Sequence, residues 1–124
     1  MKLVHKSGSV HCGQNNPASY WGCTNQQSHG NNGLMTIITN TKKKAVLSPA
    51  EDLKKHDTCR KETHFYHLDG TTHLSSELVF RDLSNRLPVP RNQELQIWYG
   101  QDWIDCTEGR NNGTTCVDVY AWYA

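Results

Sequence analysis

Apolar and polar positions in this chain follow the two-residue period of strands far more often than the 3.6-residue period of helices. Residues 34–39 (Leu-Met-Thr-Ile-Ile-Thr) have the β-branched enrichment of a strand, and residues 63–68 (Thr-His-Phe-Tyr-His-Leu) read the same way up to an Asp69-Gly70 turn. Residues 2–5 and 45–47 suit short strands, and residues 73–82, with Leu74, Leu78, Val79 and Phe80, suit a longer strand or bent pair. Two further apolar-alternating runs, 94–99 and 116–123, flank a loop near the end of the chain. On the second run, alternation puts Val117, Val119, Ala121 and Tyr123 on one face, the expected core side. Cys116, Asp118, Tyr120 and Trp122 fall on the other face, so Asp118 is expected to point towards the loop. Helix signals occur once: Ser48 can cap, Pro49 suits the first helical position and Glu51 completes a capping box. They predict a short helix ending between residues 55 and 57.

The connections are long. Residues 7–33 are rich in Gly, Asn, Gln and Ser, with turn signals at Asn16-Pro17, Gly30 and Asn31-Asn32-Gly33. Neither Pro88 nor Pro90 can donate to a ladder, so residues 87–90 form a connector. At 124 residues the chain suits one domain, and a hydrophobic content of 35% limits its core. The expectation is a mainly β fold: a small disulfide-containing β-sheet domain with one short helix and long loops, spanning residues 1–124. A net charge of +1 gives no electrostatic case for nucleic acid or an anionic membrane. No apolar run approaches the ~18 residues of a membrane span, and residues 1–5 carry no apolar signal core.

The five cysteines (Cys12, Cys23, Cys59, Cys106 and Cys116) include no Cys-x-x-Cys pair, which favours disulfides in an oxidising, extracellular setting over a zinc ribbon or redox motif. An odd count leaves one thiol free or bridging two chains. Cys106 and Cys116 bracket the second half of the loop and are the preferred intrachain pair; among Cys12, Cys23 and Cys59 the pairing stays open.

The loop concentrates the chemistry. Asp102, Asp105 and Glu108 recur at every third residue, Asn111 and Asn112 follow, Asp118 returns on the last strand, and Arg110 is the one base among them. Carboxylates so gathered repel unless a cation lies between them. Calcium accepts about six to eight oxygens in irregular geometry from carboxylates, amide carbonyls, main chain and water. The spacing is not that of an EF-hand. A zinc site from His64, His67 and His73 is disfavoured, because His64 and His67 face opposite sides of a strand. No nucleophile elbow, phosphate loop or dinucleotide fingerprint occurs, so no enzyme is expected. A loop-bound calcium can leave positions open for two neighbouring hydroxyls of a sugar. The indole of Trp103, next to Asp102, offers a flat face for the apolar side of a pyranose. Asn112-Gly113-Thr114 fits the N-glycosylation pattern, and at Asn112 a glycan and a metal–ligand role are alternatives.

Gly100-Gln101-Asp102-Trp103, with Cys116-Val117-Asp118-Val119-Tyr120, resembles the calcium-dependent galactose-binding lectins of sea anemones, most specifically over residues 92–124. The resemblance implies a secreted carbohydrate-recognition domain that binds terminal β-galactosides through Ca2+, acting on galactose-terminated glycans as a disulfide-linked homodimer. The ligand set expected on that basis is Gln101, Asp102, Glu108 and Asp118, with Asp105 and Asn111 in reserve; Trp103 stacks on the sugar. Gln101-Asp102 is also similar to the Gln-Pro-Asp motif of galactose-type C-type lectins. The proline and the following Trp-Asn-Asp are missing, so a separate β-rich fold is expected. The alternative is a calcium-stabilised extracellular matrix or adhesion module that binds no free sugar.

Overall fold

The computed structural model describes residues 1–13, 16–23, 32–47, 53–55, 63–80, 87–105, 109 and 111–122. They form a mainly β structure of small sheets. The strands are β1 (Lys2–His11), β2 (Gly22–Cys23), β3 (Gly33–Leu34), β4 (Thr36–Thr39), β5 (Ala45–Leu47), β6 (Lys54–Lys55), β7 (Thr63–Phe65), β8 (Glu77–Val79), β9 (Gln96–Tyr99) and β10 (Asn112–Tyr120). One short helix, α1 (Gly100–Trp103), follows β9 directly. Two three-stranded sheets run in the orders β10-β1-β8 and β5-β4-β9, and the pairs β2-β3 and β6-β7 complete the pattern. All the named pairings are antiparallel.

The first strand runs to His11, well past the apolar residues 2–5. Its second half, Lys6-Ser7-Gly8-Ser9, is polar because that half is largely solvent-facing. What keeps it extended is its ladder to β10, from Lys2↔Tyr120 to His11↔Asn112, with a bulge between His5 and Ser7. Gly8, at φ +77°, comes so close to the Thr114 carbonyl that a Cβ would collide with it. The run at 73–82 contributes only β8 within its described part. Residues 48–52, where the helix was expected to begin, lie outside the described residues. Lys54–Lys55, within its expected end, is instead a strand paired with β7.

The core forms where the two larger sheets and the β2-β3 pair meet. Leu3, Trp21, Leu34, Ile37, Ile38, Tyr66 and Leu78 are almost fully buried there. Ile37 and Ile38 are adjacent yet both buried, so β4 is covered on both faces, which explains its unbroken apolar run. Trp21 ties the elements together: its Nε1 donates to the Ser75 carbonyl at 2.6 Å, and its carbonyl accepts from Met35 N at 2.8 Å.

A disulfide joins Cys12 to Cys23, clamping the end of β1 to β2. Replacing both with Ser is expected to lower stability by about 2–3 kcal/mol, because the bridge shortens a small loop of the unfolded chain. The denaturant midpoint should fall accordingly; an unchanged midpoint would show that the bridge contributes nothing. The expected Cys106–Cys116 bridge is not formed. Cys116 is a free, exposed cysteine, whereas Cys106 lies outside the described residues. The reason is its position: Cys116 sits within β10, an outer strand of its sheet, paired with Ser7, and it shares a strand face with Asp118 and Tyr120.

Candidate functional site

Where β9 ends, the backbone turns at once into α1. Gly100 N donates to Met35 O at 2.7 Å, and Ile104 N to Gly100 O at 3.2 Å, closing a single turn. This turn buries Gln101 and leaves the Asp102 side chain exposed. On the far side, the end of β1 meets the start of β10 through the pairs Val10↔Gly113 and His11↔Asn112. Between the two lies a cleft of about 440 Å³, lined by Val10, His11, Tyr99, Asp102, Gly109, Asn111, Asn112 and Gly113. That size falls in the ~300–1,000 Å³ range of small-molecule sites.

Several polar groups of the cleft are unsatisfied. Both side-chain atoms of Asn111, Oδ1 and Nδ2, and the Tyr99 hydroxyl are shielded from solvent and have no hydrogen-bond partner among the described residues. Leaving such a group unpaired costs about 1–3 kcal/mol, so three around one cleft mark a place that a ligand, an ion or water completes. Burial holds the Tyr99 phenol well above its ordinary pKa of 10.0, so it stays a neutral hydroxyl, able to donate. Asp102 brings a negative charge, and among the described lining residues only His11 is basic. The arrangement suits a cation or a polyhydroxylated neutral molecule better than an anion.

Tyr99→Phe tests the strain directly. Without ligand, stability should rise by about 1 kcal/mol, since an unpaired buried hydroxyl is removed. Its contribution to alkaline unfolding should also vanish. With tyrosine present, the unfolded state ionises near pH 10 while the folded state does not, so stability falls as pH rises beyond that point. A variant less stable than the parent at neutral pH would show that the hydroxyl is already satisfied.

The residues expected at the site are only partly gathered. Asp102 and Asn111 line the cleft. Gln101 is buried and does not line it, and Asp105, exposed and at φ +53°, also stands outside the lining. Glu108 and Cys106 lie outside the described residues. Asp118 is not near the cleft: it pairs with Lys6 at 3.4 Å, six residues along β10 from Asn112, which is roughly 20 Å of extended strand. The alternation that separated Asp118 from Val117 holds, but the face it points from is the outer face of the sheet, not the loop. Val119 lies on the core-side face yet is half-exposed, because β10 is an edge strand.

Trp103 does not line the cleft either. Its Nε1 donates to Lys43 O at 2.8 Å, and its ring packs against the core, so it braces the turn between β4 and β5. Trp98 braces the same turn, with its Nε1 on Thr39 Oγ1 at 3.1 Å and the Lys43 ammonium 4.8 Å from its ring centre. The aromatic residue at the cleft is Tyr99, which sequence reading treated as a strand end, and His11 comes with it. Only their pairing partners could have revealed them. Among the described residues, no three His, Cys, Asp or Glu side chains come together as a metal-binding group.

The fold is lectin-like. A solved structure similar to it is the sea anemone lectin AJLec from Anthopleura japonica, with a TM-score of 0.78 and 27% identity, covering 94% of this chain and 74% of that one. No family model matches the chain, and no curated protein does.

Proposed function

We propose that this protein is a secreted, calcium-dependent lectin for terminal galactose, and that the cleft between α1 and the start of β10 is its sugar site. The observation that carries the reading is the convergence of Asp102 with the unsatisfied Asn111 amide and Tyr99 hydroxyl in one cleft of a lectin-like fold. Likeness of fold alone assigns no ligand; partnerless oxygen and nitrogen atoms ask for one. In this reading Asp102 and the Asn111 carbonyl oxygen hold Ca2+, with Glu108 as a third donor, since calcium takes mixed carboxylate and amide oxygens. Sugar hydroxyls fill the remaining positions, and Tyr99, in place of Trp103, borders the bound ring. Support for galactose comes from the resemblance of residues 100–103 and 116–120 to the sea anemone lectins. The disulfide fits an oxidising compartment, and no helix among the described residues is long and apolar enough to cross a membrane.

The test is retention of the unglycosylated chain, made in a bacterial host, on immobilised galactose with calcium, followed by elution with chelator. Retention that chelator releases is the expected result. Flow-through under both conditions, with calcium still raising the melting temperature, would overturn the lectin reading in favour of a matrix module.

We further propose that the active form is a disulfide-linked homodimer joined through Cys116. This thiol is exposed on an edge strand whose neighbours Val119, Tyr120 and Trp122 are also exposed. Two sites on one particle raise avidity for a surface of clustered glycans. Cys116→Ser is expected to run as a monomer on a non-reducing gel and to lose agglutination while keeping its affinity for free sugar. A dimer band that persists would assign the link to another cysteine.

A further inference from the structure

We propose that Asn112 is an N-glycosylation site and that its glycan closes the cleft. The tripeptide Asn112-Gly113-Thr114 has the acceptor pattern, and the structure places it in a position that gives it a consequence. Asn112 and Thr114 are both exposed, at the beginning of β10, the outer strand of its sheet. Asn112 Oδ1 accepts from Gly113 N at 2.7 Å, which fixes the amide plane. The other amide atom, Nδ2, makes no hydrogen bond among the described residues, and it is the atom a glycan is attached to. Gly113, at φ +95°, runs so close to the Ser9 carbonyl that a Cβ would not fit, so the middle residue of the tripeptide is held to glycine by the fold itself.

The chemistry is a glycosyl transfer from a lipid-linked diphospho-oligosaccharide during secretion. Asn112 Nδ2 forms a bond to C1 of the first sugar, the C1–O bond to the diphosphate breaks, the lipid diphosphate leaves with the electron pair, and the nitrogen gives up a proton. Asn112 lines the cleft and is the direct cross-strand partner of His11, which lines it too. A tethered first sugar is itself a pyranose, the size of the ring the cleft is proposed to take, and its tether gives it an effective concentration of about millimolar beside the site. The glycosylated chain is therefore a closed form and the bare chain an open one. The inference shares the secretory route with the lectin reading but needs neither calcium nor galactose binding.

The test compares wild-type protein and Thr114→Val, both secreted from a eukaryotic host. The substitution removes the acceptor hydroxyl, keeps the β-branch and leaves Asn112 in place. Peptide mass mapping should find hexose and N-acetylhexosamine on the Asn112 peptide of the wild type and none on that of the variant. Diethylpyrocarbonate labelling of His11, measured against exposed His67 in the same sample, should be several-fold lower in the wild type. If the variant is not secreted, Asn112→Gln, secreted from the same host, serves as the open form. An unmodified Asn112, or an occupied Asn112 with equal His11 labelling in both forms, would overturn the proposal. Neither readout involves calcium or a sugar column, so its failure is separate from a failure of the lectin reading.

Discussion

Asp102→Ala is expected to abolish calcium-dependent retention on galactose, lowering calcium affinity by about 100-fold or more. The scale follows from ligand chemistry: losing a group that merely orients a metal ligand costs ~10–100-fold, and losing the ligand itself costs at least as much. Asp102 is the one carboxylate among the described residues that line the cleft, so its loss removes the charge on which the proposed calcium site is centred. Stability without calcium should barely change, because the side chain is exposed. Calorimetric titration with calcium, alongside melting curves with and without it, separates the two effects. The control is Asp118→Ala, which removes a half-exposed carboxylate from the outer face of the sheet. An exposed ion pair such as Lys6–Asp118 contributes little, so this variant should bind as the parent does. Sugar retention that survives Asp102→Ala but not Asp118→Ala would move the site along β10 to Asp118 and refute the cleft.

This pair of variants also marks how far the sequence could be read. The strands at residues 36–39, 45–47 and 96–99 were legible because burial imposes β-branched or alternating residues on them, and so was the mainly β class. The second half of β1 was not, since the forces holding it are backbone bonds to β10, which leave no apolar signature. Asp102 was legible as a member of an acidic loop, and Asn111 as a polar neighbour. Asp118 misled because alternation assigns a residue to a face without saying what that face looks at. Trp103 misled for a related reason: an indole beside a candidate ligand looks available until its N–H is found on Lys43 O. Tyr99 and His11 carried no signal at all, because their role comes from strands that are far apart in sequence and meet only in the fold. Among the cysteines, the Cys106–Cys116 expectation failed because Cys116 stands free on β10, while Cys12–Cys23, one of the pairings left open, is the bridge that forms, since spacing does not encode connectivity.

Trp21→Ala should have the largest effect on folding, about 3–5 kcal/mol, the range for emptying a buried aromatic position. Against a total stability of ~5–15 kcal/mol for a domain of this kind, that removes at least about a fifth of it. Trp21 is 1% exposed and central to the core, its ring stands edge-on to His5, and its Nε1 satisfies the Ser75 carbonyl. The damage should reach the cleft. Trp21 O accepts from Met35 N at 2.8 Å, and Met35 O accepts from Gly100 N at 2.7 Å, so two hydrogen bonds connect the indole's backbone to the helix that carries Asp102. Trp21→Phe isolates the polar part: it keeps most of the packing and strips the Ser75 carbonyl of its donor, for about 1–2 kcal/mol. Urea unfolding gives both values, and calcium titration of the Phe variant reads the connection to α1. If Trp21→Ala unfolds at the parent's midpoint, the core is not organised around Trp21. If Trp21→Phe loses stability but no calcium affinity, α1 is held by its packing on β7 and β9 and not through Trp21.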